Sequence, residues 1–167
     1  MKKVSLLVFL TLLFISCATT SASKSTKETL PDRQTIIDVE GLNQEELFVK
    51  ANVVLVDLFK KSSSVIQFSD KSNGIIKGKF IIPEVWSGIY CYRINATITV
   101  EVKDFKTRLT ISDIYATFVG DAIGGRYLSD GRDIKIETES KLGEKVQEEL
   151  KNFEMNFSTG LKTKNEW

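Results

Sequence analysis

The clearest order in the chain is an alternation. Tyr90, Tyr92, Ile94, Ala96, Ile98, Val100 and Val102 take every second position, and Cys91, Arg93, Asn95, Thr97, Thr99, Glu101 and Lys103 fill the places between. Successive side chains of a strand point to opposite faces, so period two over this length predicts a strand with one buried and one wet face. Lys103-Asp104-Phe105-Lys106 turns the chain, and a partner strand is expected over residues 107–118. Its apolar phase runs through Leu109 and Ile111, then moves to Ile114, Ala116 and Phe118. A phase slip of one residue predicts a β-bulge near Ser112-Asp113.

Shorter strands are expected upstream, at residues 35–40 around Ile36, Ile37 and Val39, at 65–68, and at 75–82. The last two flank Asp70-Lys71-Ser72-Asn73-Gly74, a turn in which Asn-Gly supplies positive φ, and so form a hairpin. Pro83 is expected to end the second of them, leaving residues 84–87, with Trp86, as a loop. Two segments carry helical spacing instead. Asn43 and Glu46 stand in the capping-box relation, and a helix is predicted from there to about Lys61. Its inner face is Leu47, Ala51, Val54, Leu55, Leu58 and Phe59, with Glu45, Lys50, Asp57 and Lys60 on the polar side. Burying each larger side chain of such a face is worth roughly 1.5–3 kcal/mol, enough to dock it on a sheet. A second helix is predicted from near Glu139, with Leu142, Val146, Leu150, Phe153, Phe157 and Leu161 at steps of three and four, fraying near Gly160. Residues 119–136, with Gly120, Gly124, Gly125 and Gly131, are expected to be a long connection. The order strand, helix, four strands, helix gives an α+β fold, an antiparallel sheet with both helices packed on one face.

The N-terminus follows different rules. Lys2 and Lys3 precede an apolar run over residues 4–15, broken only by Ser5 and Thr11. At about 1.5 Å per residue this run covers roughly 18 Å, too short to span a bilayer core and suited to the apolar region of a signal peptide. Leu13-Phe14-Ile15-Ser16-Cys17 resembles the lipobox of bacterial lipoproteins. The resemblance implies removal of residues 1–16 as a lipoprotein signal peptide and a lipid, palmitate or its like, on Cys17. Two or more acyl chains anchor stably where one does not. Residues 17–33 then read as lipidated cysteine and solvated Ser/Thr/Lys tether, and residues 34–167 as the α+β domain. With no acidic cluster after Cys17, the expected address is the outer membrane of a Gram-negative bacterium, facing the periplasm.

Composition narrows the chemistry. Removing residues 1–16 leaves 21 basic against 22 acidic residues, so no basic excess favours nucleic acid as a partner. Histidine is absent, which removes Ser-His-Asp and Cys-His nucleophile systems and every His-based metal site. With Cys17 lipidated, Cys91 is left without a partner in the chain, a packing residue or a free thiol. No metal and no cofactor is expected. Asp121, Asp130 and Asp133 match no calcium-loop spacing, and the glycines near Gly120 precede no helix that would make a phosphate loop. Arg126 and Arg132 are weak candidates for holding an anion.

Residues 42–116 carry a further likeness. A helix followed by Asp70-Lys71-Ser72-Asn73-Gly74-Ile75-Ile76-Lys77-Gly78, then a long hairpin rich in Tyr, Thr and charge, resembles a bacterial family of unknown function with a TATA-binding-protein-like fold. The resemblance covers about half the chain and implies the fold; it transfers no catalytic residue, and a shared fold carries no DNA binding with it.

The candidate binding surface is the wet face of the long hairpin, with Arg93, Asn95 and Thr97 opposite Arg108, and Trp86 as an exposed aromatic anchor. A merely solvated sheet face is the plainer account of the same residues. The expected function is a lipid-anchored, non-enzymatic binding or accessory module of the cell envelope, whose partner is an envelope protein or glycan. The alternatives are a His-free carboxylate hydrolase acting on cell wall or glycan, and a structural subunit that oligomerises through the stripe from Leu142 to Leu161.

Overall fold

The computed structural model describes residues 28–60, 63–122 and 131–163. The elements run β1 (Arg33–Asp38), α1 (Gln44–Phe59), β2 (Val65–Asp70), β3 (Ile75–Ser87), β4 (Tyr90–Lys103), β5 (Lys106–Asp121), β6 (Asp133–Ile134) and α2 (Lys141–Lys162). The strands form one antiparallel sheet in the order β1-β5-β4-β3-β2, with β6 beside β1's neighbour β5. Both helices pack on one face of it, as the α+β reading requires.

Each helix starts where its cap dictates. Asn43 accepts from the Glu46 amide at 3.0 Å and the Glu46 carboxylate accepts from the Asn43 amide at 3.1 Å, which closes the capping box. Ser140 caps α2 by accepting from the Gly143 amide at 2.9 Å. α2 buries Leu142, Val146, Leu150, Phe153, Phe157 and Leu161. Phe153 stacks between Phe59 of α1 and Phe80 of β3, with centroids 6.3 and 4.5 Å away, and Phe157 follows at 6.4 Å. This aromatic cluster joins both helices to the sheet. All six residues of the α2 stripe are buried inside the domain.

The hairpin turns tie the layers together. Asp70 Oδ1 accepts from the Ser72 amide, the Ser72 hydroxyl and the Asn73 amide, and Oδ2 accepts from the Asn73 side chain. These donors hold the exposed carboxyl down to about 2. Gly74 alone takes positive φ there, +65°, and a Cβ on it would come within 2.5 Å of the Val102 carbonyl. Phe105, left-handed at φ 63°, donates its amide to Leu42 and accepts from Val39, so the β4–β5 turn braces the entry to α1.

Five expectations need correction. β3 does not stop at Pro83 but continues to Ser87, because the register shifts between Ile82 and Val85 and the bulge there asks no amide of proline. β5 extends past Phe118 to Asp121, with a second bulge opposite Cys91 and Tyr92. The expected long connection is further shortened by β6. α2 does not fray at Gly160, since that glycine lets the helix lie against Val54 of α1. α1 ends at Phe59, two residues early, with Lys60 as its C-cap. The expected bulge in β5 is present: Asn95 faces Tyr115 and Thr97 faces Ser112, and Asp113 between them has φ 52°.

Candidate functional site

The face of the sheet away from the helices is mapped by register. Across β5, β4, β3 and β2, one row is Arg108, Glu101, Ile75 and Asp70, and the next is Thr110, Thr99, Lys77 and Phe68. Then come Ser112, Thr97, Lys79 and Val65, and after them Tyr115, Asn95 and Ile81. β1 adds Ile36 beside Arg108 and Gln34 beside Thr110. Strands lie about 4.8 Å apart and same-face neighbours about 6.8 Å apart along a strand. Thr97, Thr99, Thr110 and Ser112 therefore form a two-by-two lattice of hydroxyls, bordered on β3 by Lys77 and Lys79.

The four expected sheet residues share this face but differ in access. Arg93 and Arg108 are exposed and Thr97 is half-buried, whereas Asn95 is only 4% exposed. Asn95 donates to the Thr117 hydroxyl at 3.2 Å, and Thr117 donates to Asp133 of β6 at 2.7 Å. It is thus a tie within the sheet. Arg108 and Glu101 form a two-pronged ion pair at 2.7 and 2.6 Å, which lowers the Glu101 carboxyl from its ordinary value and raises the guanidinium. Trp86 is on β3 rather than a loop, in register with Cys91 and 36% exposed, so it remains an available aromatic surface. Lys145 of α2 donates to its carbonyl. Cys91 is buried, and burial, then the Glu84 charge, pushes its thiol up. Tyr90 and Tyr92 lie on the other face and meet Phe118 edge-on at 6.1 and 5.9 Å.

Sequence reasoning missed a different concavity. A groove of about 960 Å³ runs between the β1–α1 connection and the ends of both helices, lined by Val39, Leu42, Val49, Val53 and Leu161, with Asp38 and Glu40 on its rim. Its signal was present in α1, where Val49, Val53 and Val56 recur at helical spacing yet stay about half exposed. Among the described residues no cluster of metal-ligating side chains occurs, and no helix is long and apolar enough to cross a membrane. Asp133 is taken up by Thr117, and Asp121 ends β5. Cys17, Gly124, Gly125, Arg126 and Asp130 lie outside the described residues, as does the signal segment.

Comparison with known proteins settles the family. The model of a domain of unknown function with TBP-like fold, DUF4468, matches residues 34–117. The chain belongs to the DUF4468 family. Two solved structures share its fold. A DUF4468 family protein from Bacteroides ovatus is 16% identical, covers 81% of this chain and 88% of its own, and superposes with a TM-score of 0.62. A TBP-like protein from Parabacteroides distasonis is 13% identical, covers 75% of this chain and 91% of its own, with a TM-score of 0.53. A search of curated proteins returns no match. The matched DUF4468 region runs from β1 into β5 and so holds the hydroxyl lattice and both lysines, but neither β6 nor α2.

Proposed function

We propose that this DUF4468 chain is a lipid-anchored binding module of the cell envelope. Lipid on Cys17 holds it at the outer membrane, facing the periplasm, and the helix-free sheet face receives an envelope protein or glycan. The observation that carries the reading is the asymmetry of the sheet. Both helices seal one face, while the other presents the hydroxyl lattice, Lys77, Lys79, Arg93 and Trp86. Glu28 accepts from the Thr138 amide and Leu30 donates to Ile136, so the chain is fastened to the domain from Glu28 onward. Ten residues separate that point from Cys17. Their fully extended reach is about 35 Å, which keeps the face close to the bilayer.

Two measurements test this. Cys17→Ser should move the protein from the membrane fraction to the soluble periplasmic fraction, and mass spectrometry of the native protein should find residues 1–16 removed and acyl chains on Cys17. A photo-crosslinker at Thr99 should capture a partner in intact envelopes, whereas one at the exposed Glu148 of α2 should not. An unmodified Cys17 overturns the anchor. Release of soluble sugars from wall material by the protein, with no saturable partner, overturns the module in favour of a hydrolase.

A further inference from the structure

The binding-module reading leaves the chemistry of the partner open, and the open face narrows it. We infer that the strip Lys77–Lys79, Thr97–Thr99 and Thr110–Ser112 is a binding site for an anionic polysaccharide, a deepening that rests on that reading.

Charge comes first. Beside the hydroxyl lattice the acids are committed, Asp70 to its own turn and Glu101 to Arg108, while Asp133 accepts from Thr117 and Glu84 stands further along β3 near Cys91. Lys77 and Lys79 form no ion pair with any described residue, and they stand side by side on β3, about 6.8 Å apart. A chain that is close to neutral as a whole therefore places two lysines beside the hydroxyl lattice, Lys77 also within the field of the Arg108-paired Glu101 and Lys79 further from it.

The hydroxyls select among anions. Each donates once and accepts twice, the same repertoire as a sugar hydroxyl. Gln34 approaches Thr110 at 3.5 Å, but Thr97, Thr99 and Ser112 make no side-chain hydrogen bond to a described residue. Half-buried hydroxyls without a protein partner are ready to exchange water for a flat polar ligand. Apolar surface completes the strip. Phe68, in register with Lys77, and Val65, in register with Lys79, are each 50% exposed and offer a wall for the C–H face of a sugar ring. Trp86 lies roughly 20 Å further along β3, which suits a polymer rather than a single sugar. An acidic peptide would meet the same lysines, but it would look for apolar pockets to anchor its side chains. The centre of this face offers hydroxyls instead.

The test uses the full chain, purified in detergent, and four probes: polygalacturonate, dextran sulfate, unmodified dextran and poly-glutamate. Titration calorimetry should show binding to at least one of the two anionic polysaccharides, at least 10-fold tighter than to dextran or to poly-glutamate at equal charge. Lys77→Gln with Lys79→Gln should weaken binding at least 10-fold, and Thr97→Val with Thr99→Val about 5-fold, both with unchanged melting. Binding to poly-glutamate as tight as to the polysaccharides overturns the inference, and so does retention of full affinity by the valine pair. Binding to neither anionic polysaccharide also overturns it. In that event a protein captured by the Thr99 crosslinker leaves the binding module standing, and no capture at all removes both.

Discussion

Gly143 is a position where one added methyl group should be costly. It lies in the first turn of α2, buried, with its amide on the Ser140 cap. A Cβ there would fall 2.2 Å from the Glu137 carbonyl oxygen and 2.7 Å from that of Thr138. Neither carbonyl is free to retreat. Glu137 accepts from the Ser140 hydroxyl at 2.7 Å and the Ser140 amide at 3.2 Å, and Thr138 accepts from the Gln147 side chain at 3.1 Å. The Thr138 amide in turn bonds Glu28 at 2.8 Å. Gly143→Ala gains at most about 1 kcal/mol in helix propensity. Against that stand overpacking of about 1–3 kcal/mol and disruption of a cap worth about 1 kcal/mol. The net loss is about 2 kcal/mol, or roughly 8 °C in Tm for a domain of this size. Urea and thermal melts followed by circular dichroism would measure it. Gly160→Ala is the informative contrast. Its Cβ would meet a side chain, Val54 Cγ1 at 2.8 Å, so Val54→Ala in the same chain should restore most of the loss. Gly143→Ala has no such suppressor because main chain blocks it. A Gly143→Ala protein melting within about 2 °C of the parent would refute the reasoning.

Three further outcomes follow from single groups. Thr107 is fully buried in β5 and its hydroxyl has no hydrogen-bond partner among the described residues, so Thr107→Val should stabilise the domain by about 1 kcal/mol, and a lower urea midpoint would contradict this. The Asp70 carboxyl is depressed to about 2 in the fold, so its stabilising contribution is present above the unfolded value near 4 and is lost as pH falls from there towards 2. Urea midpoints of the parent and of Asp70→Asn should therefore converge over that interval; parallel curves would remove the claim. Cys91 is 1% exposed with its thiol raised by burial, and at pH 8 it should react with a thiol reagent at least 100-fold faster in urea than in the native state.

Much of this architecture was legible because it is written in period. The alternation along β4, the phase slip at Ser112-Asp113 and the capping box at Asn43 each state a local geometry, and each is found in the fold. What escaped depends on neighbours that period does not name. Pro83 stays in β3 because a bulge relieves it, and Gly160 stays helical because Val54 needs the room. β6 is two residues long, below the length at which any period shows. Val49, Val53 and Val56 fall outside the inner face of α1 that the spacing marks, a second apolar stripe whose exposure shows only once the helix is docked. The binding face teaches the same lesson more sharply. Asn95, Thr97 and Thr99 share one parity and so one face. Asn95 is flanked by Ile81 and Tyr115 and is closed over, whereas Thr97 and Thr99 stand between lysines on one side and small hydroxyl residues on the other. Alternation fixes the side to which a residue points, while the height of its cross-strand neighbours fixes whether a ligand can reach it. On that ground the open hydroxyl strip begins at Thr97, and substitution of Asn95 should act through stability rather than through affinity.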